Sequence, residues 1–404
     1  LRMSSRPYST RELFFRHVAS TSPTPLGLEI RRAEGVFLYT PDNRKVMDLV
    51  SGVCVSNVGH GNKKVLEAVK SQIDHHMHLM VYGEVIQSPQ SRHAALLTSL
   101  LEDSLNSVYY VNSGSEANEA ALKLAKRATG RREIISFKNA YHGSTHGALS
   151  VMGSEEFKNS FRPLLPDVRH ISFNCEKDLE LISKRTACVI VEPVMAEAGV
   201  FSPKDEFLKK LRRRCDETGT LLIFDEVQTG FGRTGVLFAH QKYGVVPDIM
   251  TLAKALGGGM PLGALVASSD LMNLWHTNPV LGHITTFGGH PVCCAAALAS
   301  LELLLKEDWI GRVSEKSAIF VKRLGGHPSV KEIRAEGLLI AVDLVCEEYA
   351  KAILPILLDE GVLSDWFLFY PSAFRIAPPL PISLDEVNLA CDLIERALDK
   401  IVKR

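Results

Sequence analysis

The chain has no net charge and no long apolar run. Across 404 residues, Lys plus Arg equals Asp plus Glu at 46 each, so the balance offers nothing to a polyanion or a charged membrane surface. Basic residues are nowhere interleaved with aromatics in a tract, and nucleic acid is not an expected partner. No apolar stretch approaches the roughly 20 residues that span a bilayer, so no membrane association is expected. The first residues, LRMSSRPYSTRELFFRH, are basic but lack a continuous apolar segment, which argues against a secretory signal. A mitochondrial-type presequence is the weaker reading, because Glu12 and the Phe14-Phe15 pair fit a folded segment at least as well. Eight cysteines are scattered without metal-ligand spacing, with Cys293 and Cys294 adjacent. Reduced, mostly buried thiols in a cytoplasmic protein are the expectation, and no metal site. Internal repeats and low-complexity segments are also missing.

What is present is a chain long enough for more than one domain, with a hydrophobic fraction of 46%, ordinary for a globular protein. A short helix is expected over residues 9–20, then a small antiparallel sheet over residues 28–50 turning at Pro41-Asp42-Asn43. Asn62 reads as the N-cap of a helix with Val65, Val69 and Ile73 on one face. From about residue 90 helices and strands alternate: helix 89–101, strand 107–112, helix 116–128, then the strands EIISF, RHISF and CVIVEP, helix 205–218, and the strands LLIF and PDIMTLA. That alternation predicts an α/β fold, a mostly parallel central sheet covered by helices on both faces. After His290-Pro291 comes an Ala-rich helix, then a portion with its own strands (EIRAEGLLIAVDL, FRIAP) and two helices. We expect a large domain over 48–290, and a smaller α+β domain over 291–404 joined by the segment 1–47.

The segment from Leu221 to Gly263 organises the rest. Four apolar residues, Leu221 to Phe224, suit a strand buried on both faces, and they end on two carboxylates, Asp225 and Glu226. Ligands bind at the C-terminal ends of parallel strands, where an acid packs badly and does chemistry well. Lys254 stands between the apolar run IMTLA and Gly257-Gly258-Gly259, a setting that suits a nucleophilic amine better than a solvated surface charge. Glu192 ends the apolar run CVIV in the same manner. Asn112-Ser113-Gly114-Ser115-Glu116 lies between a strand and a helix. It reads either as an ordinary helix cap or as an anion-binding loop at a helix N-terminus.

FDEVQTGFGRTG followed by PDIMTLAKALGGGMPLGA closely resembles the core of the class III (ornithine/acetylornithine/4-aminobutyrate-type) aminotransferases of pyridoxal-phosphate fold type I, the aspartate-aminotransferase-like fold. The resemblance implies pyridoxal 5'-phosphate as cofactor, with Asp225 on its pyridinium nitrogen and Lys254 as the lysine that binds it covalently and moves the substrate proton. It implies phosphate binding by Ser113, Gly114 and Ser115, ring stacking by Tyr141, pocket support from His142, and Glu192 near the ring. Val227 would pack on the ring and Gln228 would reach its phenolic oxygen. In Thr285-Thr286-Phe287-Gly288-Gly289, Thr286 would bind the cofactor phosphate of a neighbouring subunit, implying a homodimer with shared sites. Arg375 would bind a substrate carboxylate, Glu197 would neutralise it otherwise, and Val53 would line the substrate entrance. Two positions depart from the family pattern. Ser144 stands where several members carry Arg, and Met195 begins Met-Ala-Glu where Gln-Gly-Glu is usual.

The implied activity is ping-pong transfer of an amino group from an amino acid or ω-amine donor to an oxo acid, with 2-oxoglutarate preferred and pyridoxamine phosphate between the half-reactions. Racemases, aminomutases and decarboxylases of the same fold share the cofactor residues. A non-catalytic pyridoxal-phosphate-binding protein would need none of Asp225, Lys254 and Arg375 for its chemistry.

Overall fold

The computed structural model describes residues 8–402; the first seven residues, on which part of the leader reading falls, lie outside them. A capped helix, Thr10–His17, precedes strands β1 (Arg32–Glu34), β2 (Phe37–Tyr39) and β3 (Lys45–Asp48), an antiparallel set as expected. Asn62 caps the helix Lys63–His75 by accepting from the Lys64 amide. Of the three residues expected on its inner face, Val65 is buried and Val69 half-buried, but Ile73 is exposed.

The central sheet has seven strands: β4 (Ser107–Val111), β5 (Glu133–Phe137), β6 (Val168–Ile171), β7 (Thr186–Val191), β8 (Leu221–Asp225), β9 (Ile249–Leu252) and β10 (Gly263–Ala267). Their spatial order is β4-β10-β9-β8-β7-β5-β6, and only β10 runs against the rest. That strand, GALVA, escaped the sequence reading because it is a short apolar run directly after a glycine-rich loop.

Both faces of this sheet are covered, and the alternation of side chains shows how. Ile135, Phe137, Val189, Val191, Leu222 and Phe224 point to one side and pack on Phe207, Leu208 and Leu211 of the helix Phe207–Thr218. Ile134, Cys188, Ile190 and Ile223 point to the other and meet Ala121, Leu122 and Ala125 of the helix Gly114–Thr129. Strands that are apolar at most positions are therefore favoured, and the run TACVIV of β7 is buried throughout.

Beyond the Ala-rich helix Pro291–Lys306 come β11 (Val330–Glu336), β12 (Leu339–Leu344), β13 (Val362–Leu363), β14 (Trp366–Phe367) and β15 (Tyr370–Ile376). EIRAEGLLIAVDL is not one strand but a hairpin that turns at Gly337, whose φ of 61° favours glycine. Strands β11, β12, β15 and β14 form a second sheet, while β13 pairs in parallel with β3, so the two ends of the chain share a third. Three helices follow the Ala-rich one rather than two: Val313–Leu324, Glu347–Glu360 and Leu384–Val402. The middle one carries Pro355 in its interior, a residue that commonly ends a helix. No helix among the described residues is long and apolar enough to cross a membrane.

Candidate active site

The C-terminal ends of β4, β5, β7, β8 and β9 open on a cavity of about 500 Å³. Each strand end delivers its own residues: Ser113, Gly114 and Ser115 after β4, Tyr141 and His142 after β5, Glu192 after β7, Asp225, Val227 and Gln228 from β8, and Lys254 after β9. Ten of the residues named from sequence therefore line one space.

Asp225 is held from several directions. Its Oδ2 accepts from Asn118 Nδ2 and lies 2.8 Å from His142 Nδ1, while Oδ1 accepts from the Val227 amide at 3.0 Å. Asn118 is itself oriented by Thr251, whose hydroxyl donates to its amide oxygen at 2.7 Å. Neither Asn118 nor Thr251 was singled out in the sequence. The available signal was an Asn within the otherwise apolar inner stripe of the helix Gly114–Thr129.

Glu226, next in sequence, has another fate. It is fully buried and accepts from the amides of Ala239 and His240, both at 2.7 Å, and from the Thr229 hydroxyl, so it caps the short helix Ala239–Tyr243. Only one of the paired carboxylates faces the cavity.

Glu192 accepts from the Tyr141 amide at 3.0 Å and the Ala196 amide at 3.1 Å. Burial pushes its carboxyl up to about 7, and the charge of Asp225 adds to the shift against the pull of His142 and the two amides. Ser113 caps its own helix by accepting from the Glu116 amide, as the ordinary reading of the motif had it. Ser115 Oγ accepts from the Ser144 amide at 3.0 Å, which ties the loop after β4 to the loop after β5. Lys254 is half-buried with a φ of 50°, a left-handed conformation that a lysine adopts at a cost, and its ammonium has no hydrogen bond or ion pair among the described residues.

Four residues named from sequence lie outside the cavity wall: Arg375, Glu197, Val53 and Thr286. Arg375 and Glu197 are buried just behind Gln228 and pair at 2.7 Å. Arg375 Nη1 donates to Gln228 Oε1 at 2.8 Å, and its guanidinium lies 4.6 Å from the centre of the Phe367 ring. Burial opposes the charges of both partners, yet their attraction prevails: the Arg375 pKa is raised and that of Glu197 lowered, the latter helped by Lys254. Val53 sits in a turn, Ser51–Cys54, whose four residues all have positive φ, a strained path for a β-branched side chain. Val55, two residues on, is the one that lines the cavity. Thr286 is exposed and makes no hydrogen bond among the described residues, whereas Thr285 Oγ1 accepts from the Gly288 amide.

A parallel sheet with a carboxylate, an amine and a helix N-terminus at its strand ends defines a cofactor-dependent α/β enzyme. The sequence profile of the family described as Aminotransferase class-III matches residues 18–398. The acetylornithine aminotransferase of Methanosarcina mazei is 38% identical over 383 residues, 92% of this chain and 91% of its own length. The [LysW]-aminoadipate semialdehyde/glutamate semialdehyde transaminase of Sulfolobus acidocaldarius is 35% identical over 93% of this chain and 96% of its own. Among solved structures, the ornithine aminotransferase of Toxoplasma gondii superposes with a TM-score of 0.89 at 28% identity, covering 98% of this chain and 95% of that one. The (S)-enantioselective omega-transaminase of Thermomicrobium roseum does so with a TM-score of 0.89 at 27% identity, covering 98% and 100%.

The chain belongs to the class-III aminotransferase family, with the fold of pyridoxal-phosphate transaminases, and is a pyridoxal-phosphate-dependent aminotransferase. The site's chemistry fits the cofactor. An oriented carboxylate suits a pyridinium nitrogen, an unpaired amine suits an aldehyde, and the first-turn amides of a helix suit a phosphate. A Cβ on Gly114 would come within 2.9 Å of Val227, so glycine is needed for the loop to pass this close to the wall.

Proposed function

We propose that this aminotransferase moves an amino group from a donor with a terminal amine to 2-oxoglutarate in two alternating half-reactions. The observation that carries the acceptor is Arg375: a guanidinium only 1% exposed, paired with one carboxylate, directly behind the cavity wall. A buried ion pair contributes little net stability, since desolvation offsets its attraction. A planar fork that can exchange Glu197 for a substrate carboxylate gives the pair a purpose. The terminal amine of the donor rests on the relatives, whose names specify acetylornithine and semialdehyde transamination.

Pyridoxal phosphate, when bound, supplies the electron sink and carries the amino group between the half-reactions. Ser113, Gly114 and Ser115 would hold its phosphate at the helix N-terminus, Tyr141 and Val227 would pack on its ring, and His142 and Glu192 would support the pocket. Asp225 would hold a proton on the ring nitrogen through a charge-assisted hydrogen bond, and Gln228 would reach the ring oxygen. Lys254 would be the lysine that holds the cofactor, and its amine would move the proton at the substrate Cα. Val53 shapes the mouth of the site, and Thr286 serves the phosphate of a second copy in a homodimer. With these roles goes the division into a large domain over 48–290 and a small one over 291–404 joined by 1–47, which the pairing of β3 with β13 supports.

Stopped-flow measurement of the separate half-reactions tests the acceptor. Arg375→Ala should lose roughly 2–5 kcal/mol in kcat/KM for 2-oxoglutarate, the usual cost of truncating one side of a buried charge pair. Arg375→Lys should recover only part, because an ammonium has no planar fork. Unchanged 2-oxoglutarate kinetics in Arg375→Ala would refute the reading.

A further inference from the structure

Gln228, Glu197 and Arg375 close a ring of hydrogen bonds. Arg375 donates from Nη1 to Gln228 Oε1 at 2.8 Å and from Nη2 to Glu197 Oε1 at 2.7 Å. Gln228 Nε2 completes the ring by donating to that same Glu197 oxygen at 3.2 Å. All three side chains are buried, and Gln228 alone of the three lines the cavity that holds Asp225 and Lys254. We infer that Gln228 is a positioning residue that transmits to the cofactor pocket which carboxylate occupies Arg375, that of Glu197 or that of a substrate. The inference rests on the reading of Arg375 as the carboxylate site.

An incoming carboxylate can use either edge of the guanidinium. The edge Nη1/Nη2 is taken by Gln228 and Glu197. The edge Nε/Nη2 is the open one: Arg375 Nε is buried without a partner, and Nη2 carries a second hydrogen that meets only the Trp366 carbonyl, at 3.5 Å. A carboxylate bound there would share one buried guanidinium with Glu197, and two buried carboxylates on a single cation leave one charge uncompensated, so charge displaces Glu197. Its other tie, from the Leu368 amide to Oε2 at 3.3 Å, is too long to hold it in place against that exchange.

Once Glu197 leaves, Gln228 Nε2 has lost its acceptor. A buried amide N–H without a partner is costly, so the side chain reorients to find one. The polar space within its reach is the cavity it lines. The number of N–H donors presented to a ring oxygen there changes with the occupancy of Arg375. The neighbouring Cys54 Sγ, 3.9 Å from Gln228 Oε1, is too weak a partner to hold the amide back.

The test uses glutarate, a dicarboxylate with neither an amino nor an oxo group, on the pyridoxal-phosphate-loaded enzyme. Calorimetry reads its binding, and the pH midpoint of the bound cofactor's visible absorbance reads the response. Gln228→Met keeps the length of the side chain and removes both polar atoms; Gln228→Leu is the second variant should Met load cofactor poorly. The wild-type midpoint should shift when glutarate saturates. Gln228→Met should bind glutarate within about threefold of wild type and show less than about half of that shift, because the field of the ligand persists while the amide relay is gone. Equal shifts in the two proteins would mean that the ligand's field alone carries the signal and would overturn the relay. Glutarate binding weakened more than about tenfold in Gln228→Met would reduce Gln228 to a prop for Arg375, with the same consequence. If wild type fails to bind glutarate, or Arg375→Ala binds it unchanged, the carboxylate site itself falls and the relay with it.

Discussion

Asn118 donates from Nδ2 to Asp225 Oδ2 at 2.8 Å, and from the same nitrogen to the carbonyl of His142, also at 2.8 Å. The carboxylate at the end of β8 is thereby aimed by a side chain of the helix that begins at Gly114. Asn118→Ala would leave that carboxylate and the His142 carbonyl each short of a donor. Pyridoxal-phosphate affinity should fall by about 1–3 kcal/mol, measured by fluorescence titration of the apoenzyme. An affinity equal to wild type would show that His142 and the Val227 amide suffice to orient Asp225.

Among the described residues, Lys254 is the only lysine on the cavity wall, and Lys254→Ala removes it. Turnover should drop by at least about 10³-fold. Borohydride reduction followed by peptide mass spectrometry should find the cofactor on Lys254 in wild type and on no lysine in the variant. Recovery of the adduct at another lysine would move the catalytic amine elsewhere.

Glu197→Ala isolates Arg375 in a buried setting. Removing one partner of a buried pair leaves an uncompensated charge, so urea denaturation should show a loss on the order of 3 kcal/mol. If the proposed exchange at Arg375 holds, the half-reaction with the terminal-amine donor should suffer more than the half-reaction with glutamate, whose carboxylate would replace Glu197 there. Equal losses in both would argue that Glu197 is only a structural partner.

Glu192 makes folding pH-dependent. Its carboxyl rises from an ordinary value of 4.5 to about 7 because burial disfavours the charged form. The native state therefore holds a proton that the unfolded state releases, and stability falls as pH rises from 4.5 to 7. Across that window the loss is on the order of 3 kcal/mol. Glu192→Gln cannot ionise, so chemical denaturation of the apoenzyme between these pH values should give a flatter profile than wild type. Parallel profiles would show that Glu192 titrates alike in the folded and unfolded chains.

Thr286 tests the shared site by complementation. If it serves the partner's phosphate, mixing Lys254→Ala chains with Thr286→Val chains yields hybrid dimers. Each hybrid then has one intact site, combining Lys254 of one chain with Thr286 of the other. Cofactor affinity in that site should match wild type, whereas Thr286→Val homodimers should be weaker by about 1 kcal/mol. Hybrids that regain nothing would place Thr286 in the service of its own chain or of none.

Much of this was legible locally. An apolar run that ends on a polar residue is a strand whose end meets a ligand, and Glu192, Asp225 and Lys254 all stand at such ends. The alternation of strands and helices identified the sheet, because a strand buried on both faces is apolar at most of its positions. GALVA was overlooked and EIRAEGLLIAVDL read as one strand, because a short apolar run carries neither its direction nor its turn.

The sequence by itself identified the candidate cofactor residues and where along the chain the strands that carry them fall, since both depend on neighbours along the chain. Tertiary structure decided between Asp225 and Glu226, which are equal in chemistry and adjacent in sequence. Successive residues leave a strand on opposite sides, so one carboxylate faces the cavity and the other caps the helix Ala239–Tyr243. It also separated Arg233 from Arg375, both buried. Arg233 donates to the carbonyls of Leu338 and Pro378 and fastens the chain together, while Arg375 meets a carboxylate 178 positions away. A guanidinium looks the same in a sequence whether carbonyls or a carboxylate await it, and only the packing of distant segments supplies one or the other.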